Sequence, residues 1–211
     1  MIKTIKRKDP TKPAFYYISY QQPHPPLTPL REYLDMYSDE EIDKPIYGDW
    51  VNDAVFPIQA IGDMSKQYTD KEIRLARKAF YAICTHIDHQ IRLLIGTLRE
   101  ANLLNNTIIV FLSDHGDMLF DHGLVAKRIF NEKAANVPFI ISGEPVNKYR
   151  GKVGDRLVCL SDVMPTLLEL CGIKIPDTVE GISAVSNTKR EMLYGEVSEG
   201  DKATRMAHDG K

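Results

Sequence analysis

Between positions 69 and 101 the apolar residues return at alternating steps of three and four: Ile73, Ala76, Phe80, Ile83, Ile87, Ile91, Leu94 and Leu98. That is the period of one helix face. Thr69-Asp70-Lys71-Glu72 stands at its start as a capping box, in which hydroxyl and carboxylate satisfy the first free amides. A helix from Thr69 to about Ala101 is predicted. Two stretches read differently. Phe15, Tyr16, Tyr17, Ile18 and Tyr20, with one serine among them, and Thr107 to Leu112 are continuous β-branched or aromatic runs. Such runs suit strands buried on both faces. Strand, helix and strand in this order predict a βαβ crossover, and with it an α/β domain around a mostly parallel sheet.

Further elements are shorter. Val137 to Ser142 and Met192 to Val197 read as strands, and Ser161-Asp162 can cap a helix through Pro165, Leu167, Leu168 and Leu170 that Gly172 ends. Pro23-His24-Pro25-Pro26 reads as a stiff extended connection that holds His24 out on a loop. From Arg31 to about Gly62 only Tyr33 to Tyr37 is amphipathic, and the rest, with Pro45, Gly48 and Pro57, is the text of a surface or lid segment.

Composition narrows the class. The 211 residues are 43% hydrophobic and 27% charged, with 27 basic against 29 acidic side chains. This is the balance of one ordinary globular domain, or at most two, and it points to no nucleic-acid partner. No apolar run approaches the ~20 residues of a membrane helix, so no membrane partner is expected. The basic N-terminus lacks the apolar core of a signal peptide, which leaves the compartment open between cytoplasm and export. Cys84, Cys159 and Cys171 are too few and too widely spaced for a disulfide framework.

Candidate chemistry gathers after the second strand. Asp114, His115, Asp117, Asp121 and His122 fall within nine positions, with Gly116 and Gly123 among them. Ligands collect beyond the carboxyl ends of strands in open α/β sheets. Carboxylate and imidazole together suit a divalent cation, Ca²⁺ by its preference for oxygen, Mn²⁺ or Zn²⁺ by tolerance of nitrogen. The alternative is a polar turn capped by Asp side chains. His24 also follows a strand, so a parallel sheet would bring it to the same edge; otherwise it is a histidine packed in a proline-rich loop. Lys127, thirteen positions past Asp114, could meet an anionic substrate or simply be a solvated charge. His86 and His89 have metal-compatible spacing on the long helix but lie off its apolar stripe, which favours surface histidines.

Three stretches carry a resemblance. Phe-Tyr-Tyr-Ile-Ser-Tyr-Gln-Gln-Pro-His-Pro-Pro, Ser-Asp-His-Gly-Asp-Met-Leu-Phe-Asp-His-Gly-Leu-Val-Ala-Lys and Leu-Ser-Asp-Val-Met-Pro-Thr-Leu-Leu-Glu-Leu-Cys-Gly resemble, in order, the sulfatase family of the alkaline phosphatase superfamily. The resemblance implies an α/β fold with a central mostly parallel sheet flanked by helices. It implies a metal-dependent sulfuric ester hydrolase acting on a small-molecule or carbohydrate sulfate ester. Asp114 and His115 would be ligands of one divalent cation, usually calcium in sulfatases and manganese in the related phosphonate monoester hydrolases. His24 and Lys127 would contact sulfuryl or phosphoryl oxygens as catalytic and substrate-binding residues. His122 matches the family's text without a role attached.

One departure is as informative. The family's Cys/Ser-x-Pro-Ser-Arg segment, whose first residue becomes the formylglycine nucleophile, occurs nowhere in the 211 residues, nor does the acidic pair that precedes it. The reading is therefore an incomplete fold: residues 1–197 part of a catalytic domain, and residues 198–211 the start of a C-terminal subdomain. The nucleophile is expected in a missing N-terminal part, and the chain alone is expected to be inactive. A phosphonate or phosphate ester hydrolase of the same superfamily and a non-catalytic metal- or anion-binding module are the competing readings.

Overall fold

The computed structural model describes residues 1–52, 68–197 and 203–210. They form two compact units, one of residues 1–52, 68–107 and 118–125, the other of residues 108–117, 126–197 and 203–210. The lid text between positions 53 and 62 lies outside the described residues.

The first unit is built on a long helix. Helices α1 (Ile2–Lys6) and α2 (Arg31–Leu34) pack against α3 (Asp70–Glu100). The capping box at its start is complete: the Glu72 amide donates to Thr69 Oγ1 at 3.3 Å, and the Thr69 amide donates to the Glu72 carboxylate at 2.8 Å. Ile73, Ala79, Ala82, Ile83 and Leu98 are buried along the helix, and Ile5 of α1 is buried with them. Each large aliphatic among these contributes roughly 1.5–3 kcal/mol by leaving water. From α2, Tyr33 stacks on His86 at 4.6 Å, and its hydroxyl lies 3.1 Å from His89 Nδ1. The two helix histidines are therefore docking partners of a tyrosine.

The aromatic run at 14–20 is not a strand. Phe15 and Tyr17 are 78% and 82% exposed, and no strand of the described residues pairs with the run. A strand is defined by its neighbour, and composition alone does not supply one. The proline segment also differs from expectation, since residues 22–26 turn, with the His24 amide donating to Gln21 O at 3.1 Å. The Gln22–Pro23 and Pro25–Pro26 peptides are cis.

The second unit contains two antiparallel pairs. Strand β1 (Ile109–Leu112) pairs with β2 (Phe139–Ser142), Ile109 opposite Ser142 and Leu112 opposite Phe139. Between them lies the short helix α4 (Glu132–Ala135). Helix α5 (Val163–Leu170) follows, closed by Gly172 in the left-handed region at φ 67°. Strands β3 (Leu193–Val197) and β4 (Thr204–His208) form the other pair. Both pairs are antiparallel, so the mostly parallel central sheet and the βαβ crossover are not found among the described residues. The 26-residue connection between β1 and β2 contains α4, yet it brings β2 back antiparallel to β1.

Asp162 organises this unit. It is 1% exposed and accepts from the Cys159 amide at 2.9 Å, the Ile182 amide at 2.7 Å and the Arg190 guanidinium. Arg156 clasps the same loop by donating to the carbonyls of Ala184, Ser186 and Thr188. Residues 182–190 are held by these charges, with little apolar burial to do so. No helix among the described residues is long and apolar enough to cross a membrane.

Candidate metal- and anion-binding site

The residues after β1 turn at once. Ser113 Oγ donates to His115 O at 2.7 Å, and the His115 amide donates to Asp114 Oδ1 at 3.0 Å, so the aspartate folds over its own turn. Gly116 then donates to Ala134 O at 2.9 Å, and a Cβ there would collide with the Lys133 carbonyl. Only glycine lets the turn approach α4 so closely.

This turn fixes the His115 ring. Nδ1 lies 2.8 Å from Gly116 O, and since a carbonyl only accepts, Nδ1 carries the hydrogen. Nε2 is left with its lone pair, 3.4 Å from Asp114 Oδ2. The Asp114 side chain is 80% exposed and that of His115 34%. Two lone-pair donors thus stand side by side, open to solvent. A histidine whose other nitrogen donates to a carbonyl is the arrangement in which imidazole ligates metals.

Lys127 sits farther along the same unit. Asp117 Oδ1 accepts from the Ala126 amide at 3.2 Å, closing the loop between them. Ala126 and Arg128 on either side of Lys127 have φ of 61° and 79°, left-handed values that cost a residue with a Cβ about 1–2 kcal/mol. The Lys127 ammonium makes no hydrogen bond or ion pair among the described residues. A strained backbone that presents an unpaired cation suits an anion contact.

His24 belongs to the first unit. It is exposed, and Nδ1 donates to Pro25 O at 2.8 Å, leaving Nε2 outward.

Asp121 and His122 belong to the first unit and have partners there. Asp121 is buried and paired with Arg77 of α3 at 3.1 Å, with side chains 3% and 5% exposed. Arg77 also donates to Leu119 O at 2.7 Å. His122 Nδ1 accepts from the Gly48 amide at 3.1 Å. Among the described residues no three His, Cys, Asp or Glu side chains converge, so the five-residue cluster read from spacing divides into an open pair and a structural remainder. The hollows of the first unit, beside Tyr33 and beside Tyr47, are lined by neither Asp114 nor Lys127.

All three cysteines are free thiols. At Cys84, burial of the sulfur pushes the thiol up to about 11. The thiol is protonated at neutral pH and unreactive.

Arg77, Asp162 and Tyr33 are structural residues that spacing did not single out. Arg77 carried a signal, since it stands four positions after Ile73 and three before Phe80, on the apolar stripe itself, where a charge is buried only with a partner. Asp162 carried none beyond its capping position.

The Sulfatase family model matches residues 1–173. Over 210 residues the chain is 41% identical to an arylsulfatase of Clostridium perfringens, an alignment covering 95% of this chain and 44% of that protein. It is 33% identical over 184 residues to a choline-sulfatase of Rhizobium meliloti, covering 82% and 35%. A phosphonate monoester hydrolase of Agrobacterium radiobacter shares the fold with a TM-score of 0.81 at 21% identity, over 95% of this chain and 44% of that one. The chain spans less than half the length of these relatives. With more than four fifths of its residues matched by the family model, the chain belongs to the sulfatase family of the alkaline phosphatase superfamily.

Proposed function

We propose that this chain supplies the metal- and sulfate-binding residues of a metal-dependent sulfuric ester hydrolase. The observation that carries the reading is the Asp114–His115 pair, with Nε2 and Oδ2 3.4 Å apart and both open. Two ligands of one cation at about 2.1–2.4 Å and a right angle lie about 3.0–3.4 Å apart, so the donor set fits. Asp114 and His115 would hold a divalent cation, Ca²⁺ by the sulfatase resemblance or Mn²⁺ by the nitrogen ligand. When bound, such a cation polarises a sulfuryl oxygen.

The chain's own residues have separable roles. Gly116 and Ser113 fix the turn, and Gly116 O fixes the His115 tautomer. By the family resemblance Lys127 would meet the anionic ester and its developing charge, and His24 would offer Nε2 to a sulfuryl or leaving oxygen. Donation from Nε2 requires the imidazolium, since Nδ1 already gives its hydrogen to Pro25 O. The formylglycine nucleophile belongs to a segment that these 211 residues do not contain. We place the substrate among small-molecule or carbohydrate sulfate esters, a class supported by the arylsulfatase and choline-sulfatase relatives. Residues 1–197 would form part of the catalytic domain and 198–211 the beginning of a C-terminal subdomain, with the two antiparallel pairs lying beside a larger, mostly parallel sheet flanked by helices.

A second reading, hydrolysis of phosphonate or phosphate esters, is favoured by the His at the second ligand position and by the phosphonate hydrolase fold match. Turnover of p-nitrophenyl sulfate and of a phenyl phosphonate monoester tests both. The 211-residue chain is expected to be inactive, and a longer chain carrying Cys-x-Pro-Ser-Arg ahead of it active. In the longer chain Lys127→Ala should lower kcat on the order of 10²–10³-fold. Equal turnover by the short chain would overturn the proposal, and the preferred ester separates the readings.

A further inference from the structure

His122 is the one histidine whose observed hydrogen bonding forbids a proton and holds a remote segment in place. A backbone amide only donates, so the bond from Gly48 N to His122 Nδ1 at 3.1 Å requires a bare lone pair on Nδ1. His24 and His115 are the reverse, with Nδ1 donating to a carbonyl, a bond that survives protonation. Nδ1 of His89 faces a hydroxyl that can turn round, and His86 lies beside Gln90. His208 accepts from Gly210, but only two residues away.

The segment that His122 holds is a strap at 46–50. The Ile46 amide donates to Asp121 Oδ1 at 3.2 Å, the His122 amide donates to Ile46 O at 2.6 Å, and the Gly48 amide donates to the imidazole. Trp50 completes it, its ring 4.8 Å from that of His122, and a Cβ on Gly48 would collide with the indole. Apolar burial does not hold the strap. Ile46, Tyr47 and Trp50 are 60%, 51% and 45% exposed. The loop beneath is itself fixed, with Arg77 gripping Leu119 O and Asp121. Next to His122 in the chain is Asp121, already engaged by Arg77 and the Ile46 amide, and the strap itself carries the exposed Tyr47 and Asp49.

We propose that the neutral imidazole of His122 latches the Gly48–Trp50 end of the strap and that protonation releases this end, while the two bonds at Ile46 persist. The latch is made by the neutral ring and is lost once Nδ1 takes up a proton, because a backbone amide has then nothing to donate to.

Trp50 is the single tryptophan, so fluorescence of the full chain reads the strap directly. Lowering the pH from 8 to 5 should shift the emission to the red in one step of single-proton steepness. His122→Gln, which keeps an acceptor and cannot titrate, should hold the alkaline spectrum throughout, while His208→Gln should behave as the parent. A step that survives in His122→Gln, or no step in the parent chain, would overturn the latch. Should His122→Gln lose its helical circular dichroism, the Gly48 amide resonance of the parent decides: it moves with the His122 titration, or the proposal is wrong.

Discussion

Asp114 and Asp121 stand seven positions apart in one motif and do opposite work. Asp121 is buried against Arg77, and removing one partner of a buried pair leaves the other charge without compensation. Asp121→Ala should therefore cost about 3–5 kcal/mol of stability in chemical denaturation. Asp114 is open to solvent, and Asp114→Ala should change stability by no more than about 0.5 kcal/mol. Equal losses from the two would contradict this division of labour. The sequence shows both aspartates as candidate ligands, because spacing reports proximity along the chain and not which side chain an arginine 44 residues earlier has drawn into the interior. His115 and Lys127 stand out as candidates by residue type, while the tautomer of one and the strained flanks of the other are matters of backbone turn that no spacing encodes.

At the scale of elements, α3 was legible almost to the residue because its signals are local: a 3.6-residue period and a capping box that the structure reproduces. Thr69→Ala should lower stability by about 1 kcal/mol, measured by thermal or denaturant unfolding. The Glu72 carboxylate adds a pH dependence. The Thr69 backbone N–H, and secondarily its hydroxyl, hold it below the usual carboxylate range. A lowered carboxylate stabilises the fold above its unfolded pKa and loses that contribution as the pH falls through the folded one. Glu72→Gln should accordingly flatten part of the acid limb of the stability profile below about pH 4.5, and an unchanged limb would count against the cap. The strands were less legible. The run at 14–20 has strand composition, but its partner is a long-range property, and β1 found an antiparallel neighbour where an order of strand, helix and strand suggested a parallel one.

Across the whole molecule, the described fold leaves apolar surface at the 14–20 run, while a net charge of −2 offers little mutual repulsion between chains. Exposed strand-like aromatic runs are association sites. The pair Phe15→Glu and Tyr17→Lys should reduce concentration-dependent association in sedimentation velocity without altering helical content. Family membership was legible in three ordered stretches, and the match over residues 1–173 bears it out. The arrangement of the sheet was not, because it depends on neighbours that these residues do not name.

Manganese binding to the full chain, followed by electron paramagnetic resonance, tests the central claim most directly, because it asks about the open pair without asking for turnover. The account predicts one saturable Mn²⁺ per chain, competed by Ca²⁺ and lost in Asp114→Ala while the fold is retained. Binding that is the same in Asp114→Ala, or none in the parent chain, would contradict it.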